Sequence, residues 1–286
     1  MRTRTLERAL AVIEALVASE GPLGVSELTR VLRLDKATVF RILAAWSRRG
    51  YVRQDPQTRR YDLDAGLLTL SARVLSRMDL PQRARPYLAA LVTRTGQSAH
   101  LAVLAPENPL WTVYVGQEKG PSRVQVDIGI GHVAPAHCTA VGKALLAGLP
   151  PDRLRAVLAD ARLTKFTPKT RVTLPSLERH LAVVRRQGYA VDDEEFHRNI
   201  RCIAAPVRGR GGEVVASIGI SGIAADIPSG RIPPLARVVV ETAARLSEEL
   251  GHPAGRTGGR RHLTADRWRT GSGRGAGRRR PVGGRR

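Results

Sequence analysis

The 286-residue sequence predicts an α+β protein: an N-terminal winged helix-turn-helix domain, a linker helix, and a larger C-terminal α/β domain with an antiparallel sheet. Three observations lead there. Apolar residues recur at helical spacing through residues 5–49, and a short basic hairpin follows them. Further on, β-forming segments cluster at both ends of a region whose middle reads as helices, the pattern of an α+β domain. The chain's length leaves room for two separate cores.

Residues 5–19 predict a first helix, with Leu6, Leu10, Ile13, Leu16 and Val17 on one side. Gly21-Pro22-Leu23-Gly24 ends it. Val25 to Arg49 then reads as two short helices joined by a tight turn. Ser26 is the expected N-cap of the first, because its hydroxyl accepts from orphan backbone N–H groups. Leu28, Val31 and Leu32 give that helix an apolar side. Asp35 is the expected cap of the second helix, where a carboxylate also suits the helix dipole. Val39, Ile42, Leu43 and Trp46 face a core, while Thr38, Arg41, Ala45 and Arg48 share a different, solvent-facing side with Lys36 at its start. Such a face suits a reader of the DNA major groove. By itself it equally describes an amphipathic helix with a solvated charged side.

The next segment decides between these. Gly50 is placed as a C-cap glycine. Asp55-Pro56-Gln57-Thr58 has turn chemistry, flanked by the β-formers Tyr51, Val52, Tyr61 and Leu63, so residues 51–63 predict a hairpin with Arg53, Arg59 and Arg60 near its tip. Three helices and a basic hairpin make a winged helix-turn-helix, so motif and context agree on double-stranded DNA as the partner. The candidate DNA contacts are Ser26, Lys36, Ala37, Thr38 and Arg41, with Arg59 and Arg60 on phosphate or the minor groove. A solvated charged turn is the plainer reading of the last two.

Asp64 opens a helix to about Met78, with Leu67, Leu70, Val74 and Met78 on one stripe, which suits a linker and a dimer contact. The expected division is 1–63 DNA-binding, 64–80 linker, 81–251 second domain and 252–286 an Arg/Gly-rich tail. The second domain reads as a helix at 82–95 and strands at 98–105, 110–115 and 123–128. Helices near 139–148, 151–160 and 174–187 follow, then strands at 203–207 and 214–220 and a helix over 232–250. Past Gly251 the composition cannot bury apolar surface and predicts disorder.

The formal charge of +22 is unevenly distributed. Residues 1–78 carry 14 Lys/Arg against 8 Asp/Glu, residues 79–252 carry 22 against 16, and residues 253–286 carry 11 against 1. Basic ends favour a polyanion, and nucleic acid does so through counterion release. No long apolar segment, signal peptide or basic amphipathic anchor is visible, so a cytoplasmic protein without membrane contact is expected. The two cysteines, Cys138 and Cys202, are too few and too far apart for a CxxC motif or a disulfide framework.

The sequence resembles the IclR-type family of bacterial transcriptional regulators across almost all of residues 4–251. The motifs that carry the resemblance occur in order: R-A-L-A-V-I-E-A-L, K-A-T-V-F-R-I-L, G-Y-V-R-Q-D, R-P-Y-L-A-A-L, A-H-C-T-A-V-G-K-A-L-L-A, F-T-P-K-T, R-R-Q-G-Y-A-V-D-D-E-E, C-I-A-A-P-V and S-I-G-I-S-G. The resemblance implies a GAF-like C-terminal effector domain, homodimers often paired as tetramers on partly palindromic operators, and a small organic acid or related metabolite as effector. It places the effector at Thr139, Ala140, Val141, Asp192, Cys202, Gly219 and Ser221. The chemistry agrees, since first-turn N–H groups hold a carboxylate and a thiol and a hydroxyl supply directional donors. Two plainer readings stand beside it: Cys202 as a buried small residue, and Asp192 as a solvated acid of the D-D-E-E run. Asn199 stands where the family commonly has glycine, and Asn is the best substitute if the backbone there is left-handed. Gly219 stands where some relatives carry serine.

Other chemistries fit less well. Gly129-Ile130-Gly131-His132-Val133-Ala134 has dinucleotide-fingerprint spacing, but Pro135 follows and no βαβ unit is evident. Gly142-Lys143 lacks the first glycine and the hydroxyl residue of a P-loop. The competing function is a thiol enzyme or metal-dependent sensor using Cys138 and Cys202, with His137 or His197 as base. It lacks an oxyanion motif and paired ligand spacing. No catalytic residue, resident cofactor or metal is therefore expected.

Overall fold

In the computed structural model, residues 4–121 and 128–253 are described, without the side chains of residues 75 and 76. The chain opens with α1 (Arg4–Ala18), α2 (Val25–Leu32) and α3 (Lys36–Arg48), then the antiparallel hairpin β1 (Val52–Gln54) and β2 (Tyr61–Leu63). Val12, Leu16, Leu28, Val39, Ile42, Leu43, Val52 and Tyr61 form their common core. The hairpin is closed by Asp55, whose carboxylate accepts from Gln57 N–H and Thr58 N–H at 2.8 Å each.

Three local expectations are corrected. Ser26 lies inside α2 and does not cap it. The N-cap is Gly24, whose N–H donates to the Glu27 carboxylate at 2.7 Å. A carboxylate reaching back from the third helical position does the capping work. On α1 the buried residues are Val12 and Leu16, whereas Leu6, Leu10 and Val17 are exposed. Two apolar stripes share the helical period, and only the one centred on Val12 meets α2 and α3. Val31 is also exposed. Asp35 does cap α3, accepting from Thr38 N–H at 2.8 Å.

The helix α4 (Ala65–Arg77) leads to α5 (Asp79–Thr95). Then come β3 (Ser98–Leu104), β4 (Trp111–Glu118), β5 (Val133–Pro135), α6 (Ala140–Gly148), α7 (Pro151–Leu158), α8 (Leu174–Gln187), β6 (Ala190–Asp193), β7 (Ile200–Arg208), β8 (Val214–Ile223) and α9 (Ile232–Glu249). The six strands form one antiparallel sheet in the order β5-β4-β3-β8-β7-β6. The strands β5 and β6 were not expected from the sequence. The expected strand at 123–128 and the tail beyond residue 253 lie outside the described residues, Ile128 excepted.

Alternation along the strands sorts the two faces of the sheet. One side sends Leu101, Ile203, Val207, Ile218 and Ile220 against α5 and α9. The other is lined by small residues, Ala102, Ala190 and Ala204, and packs against α6, itself backed by α8. Small side chains let α6 lie close to the strands. Gly142 is required there: a Cβ would sit 2.3 Å from Ala136 Cα. No helix among the described residues is long and apolar enough to cross a membrane.

Candidate functional site

Two places gather the chemistry. The first is the exposed side of α3. Lys36, Ala37, Arg41, Ala45 and Arg48 are exposed and Thr38 is half-buried, while Val39, Ile42 and Leu43 anchor the opposite side in the core. Ser26 is exposed as the second residue of α2. In the hairpin, Arg59 is exposed with a left-handed backbone, φ 59°. Arg60 is tied down: its guanidinium donates to the Pro22 carbonyl at 2.8 Å and pairs with the Glu27 carboxylate at 2.7 Å. One carboxylate thus caps α2 and fastens the wing to it, and the Gly24 N–H bond and Arg60 hold the Glu27 carboxyl below its ordinary range.

The second place is a pocket beneath the first turn of α6. Register brings Asp192 on β6 opposite Cys202 on β7, and Cys202 opposite Ser221 on β8. The three side chains therefore form a row across the strands. Thr139 caps α6, accepting from Gly142 N–H at 3.2 Å while its own hydroxyl donates to the Pro135 carbonyl at 2.9 Å. Helix-start N–H groups at residues 140 and 141 have no intrahelical acceptor and carry the positive end of the helix dipole. All seven residues named from the resemblance line this one space, which has a volume of about 30 Å³. As it stands, this is room for about two waters.

Sequence reasoning missed half of the lining. His100 on β3 reaches across to Ser221, with Nε2 2.6 Å from Oγ. Tyr114 on β4 meets His100 edge-on, with ring centroids 5.7 Å apart. Phe196 and His197 complete the rim. None of these four stands in a pattern that marks a ligand contact; strand register brings in His100 and Tyr114, and the β6–β7 connection brings in Phe196 and His197.

Burial dominates the electrostatics of the site. Asp192 is buried and accepts from Glu195 N–H at 2.7 Å, so it is no solvated loop acid. Burial pushes its carboxyl up to about 7, with Lys143 opposing. Burial likewise raises the Cys138 and Cys202 thiols, the Asp192 charge adding to both, so neither is a thiolate nucleophile. His137 is lowered by burial, and its Nε2 lies 3.0 Å from the Thr164 carbonyl. Among the described residues no group of three His, Cys, Asp or Glu side chains is arranged to hold a metal ion. The Gly129–Ala134 segment is a turn entering β5, not the start of a nucleotide-binding helix. Lys143 is fully buried and bonded to Glu195 and the Val191 carbonyl, so it is no phosphate-binding lysine. Asn199 is left-handed, φ 63°. At Gly219 a Cβ would meet the Ile203 carbonyl at 2.4 Å, so this backbone has no room for the serine of some relatives.

Two family models match: the IclR helix-turn-helix domain over residues 5–56, and the bacterial transcriptional regulator IclR C-terminal domain over residues 72–248. The HTH-type transcriptional regulator XynR of Escherichia coli (strain K12) is 30% identical over 251 residues, covering 88% of this chain and 98% of XynR. The HTH-type transcriptional repressor AllR of Klebsiella pneumoniae is 33% identical over 248 residues, covering 87% and 90%. The crystal structure of the Thermotoga maritima IclR superposes with a TM-score of 0.68 at 27% identity, covering 88% of this chain and all of that one. With a helix-turn-helix at one end and an antiparallel α/β domain at the other, the chain belongs to the IclR family of DNA-binding transcriptional regulators.

Proposed function

We propose that the chain is a cytoplasmic, homodimeric regulator that reads an operator with α3 and senses a small organic acid in the pocket under α6. Residues 1–63 act as the reader, 64–80 as the linker and 81–251 as the sensor. Lys36, Ala37, Thr38 and Arg41 face base edges, with Ser26 on the flanking backbone. Arg59 of the wing meets phosphate, and Arg60 works chiefly by holding the wing to α2. In the sensor, the ligand carboxylate sits at the N–H groups of residues 140 and 141. Its remaining polar atoms meet Asp192, Cys202 and Ser221, with the Gly219 backbone lining the space beside them. The observation that carries this reading is the cross-strand row Asp192–Cys202–Ser221 beneath a helix N-terminus, in a chain that also presents an exposed basic reading helix.

The test is binding of the full chain to the DNA upstream of its own gene, against random duplex, at moderate salt. Sequence-specific binding is expected, as is selective weakening at the specific site in Arg41→Ala, by about 1–3 kcal/mol. Equal affinity for both duplexes sinks the reading. A thermal-shift screen of small organic acids then identifies the ligand class, since a ligand that binds the folded state alone raises the midpoint.

A further inference from the structure

A cleft with a volume of about 610 Å³ is lined by α1 and α3, on the flank of the reading helix. Its floor is aromatic. The Trp46 and Tyr51 rings lie 5.5 Å apart, and Trp46 Nε1 donates to the Ala9 carbonyl at 3.2 Å, which fixes the indole. Its rim is cationic. Arg8, Arg41 and Arg49 line the cleft, and no Asp or Glu does. All three arginines are exposed, and none makes an ion pair among the described residues. The wing differs, since Arg53 and Arg60 are each held by a carboxylate. Three like charges around one concavity repel one another and favour a polyanion as occupant.

We propose that this cleft seats the sugar-phosphate backbone of one DNA strand, with Arg8 and Arg49 as phosphate contacts beside the major groove read by α3. The proposal rests on the DNA-reading assignment made above. A helix with its side chains is roughly 10–12 Å across and fills a major groove about 12 Å wide, so phosphates run along both of its flanks. On the α1 flank of α3 this cleft supplies the cations. Arg41 belongs to both surfaces, lining the cleft and standing on the reading side. Contacts of this kind fix register and orientation on the duplex without choosing its sequence.

The test is the salt dependence of binding of the full chain to a random-sequence duplex of about 30 base pairs, a length of about three helical turns. Arg8→Gln and Arg49→Gln each remove one phosphate contact per subunit, so for the bound homodimer each should lower the slope of log K against log salt by about 2, and the double variant by about 4. Arg8→Lys and Arg49→Lys keep the charge and should retain the wild-type slope. Both side chains are exposed, so thermal midpoints should stay put. Preference for the upstream DNA over the random duplex should also be unchanged. A folded double variant with the wild-type slope overturns the cleft assignment, as does a loss confined to the upstream DNA, which would mark base contacts. Absence of salt-dependent DNA binding in the wild type is a different failure, one that removes the DNA-reading assignment itself.

Discussion

The Lys143 ammonium on α6 is bonded to the Glu195 carboxylate just past β6, and neither side chain is more than 3% exposed. Arg171 holds the other oxygen of Glu195 at 2.6 Å. The cluster ties the helix that begins at the pocket to the segment that carries Phe196 and His197. Removing one member of a buried pair leaves the other charge poorly compensated. Lys143→Met should therefore lose about 3–5 kcal/mol of stability, read from urea unfolding. A loss below about 1 kcal/mol would show that Arg171 alone satisfies Glu195, since that is the scale of an exposed pair.

Stability should carry the signature of Asp192. Its folded carboxyl titrates near 7 against an ordinary 3.8, so the native state holds a proton that the unfolded chain releases. Its contribution is full below about pH 4, falls as pH rises to about 7, and is level above that. Asp192→Asn keeps an oxygen acceptor for Glu195 N–H and should flatten that part of the stability profile. The same ionisation brings negative charge into the pocket. Affinity for a carboxylate ligand should fall above pH 7 in the wild type and much less in Asp192→Asn. Parallel pH profiles for the two proteins would refute this.

At Gly142 the sign of a substitution is informative. Within an ordinary helix, Gly to Ala stabilises by about 1 kcal/mol. Here the added methyl lies 2.3 Å from Ala136 Cα, and backbone cannot yield as a side chain does. Gly142→Ala should instead destabilise by about 1–3 kcal/mol and weaken ligand binding by shifting the first turn of α6. A gain in thermal midpoint would show that α6 has room to move.

Thiol chemistry separates the regulator from a cysteine enzyme. Burial holds the Cys138 and Cys202 thiols protonated. A thiol-reactive probe at pH 8 should label the native chain slowly and both cysteines rapidly after denaturation. Rapid stoichiometric labelling of the native protein would contradict this.

The reading helix was legible because its signals are local. Asp35 as cap and Val39, Ile42 and Leu43 as anchors all fall within one turn or two of each other. The pocket was legible only in part. His100 and Ser221 are 121 residues apart and meet through the register of β3 on β8. The strands β5 and β6, three and four residues long, are too short to display alternation. The D-D-E-E run left two readings of Asp192 open for a related reason. Alternation turns Asp192 inward, whereas Asp193 meets Lys169 and Arg201 near the surface. On α1, Leu6 and Leu10 repeat at the helical period as faithfully as Val12 and Leu16, and only the position of α2 and α3 decides which pair is covered.

The segment over the pocket is held at many points. Asp192 accepts from the N–H groups of Glu195 and Phe196, Thr167 and Thr170 donate their hydroxyls to the Glu195 carbonyl, and Asn199 N–H donates to the Glu194 carboxylate. A ligand larger than the space as it stands has to displace some of these bonds to fit. Arrival should then be slow and level off as ligand concentration rises, while departure still reflects how tightly the ligand is held. A regulator built this way averages over brief fluctuations in its metabolite and answers only to sustained ones.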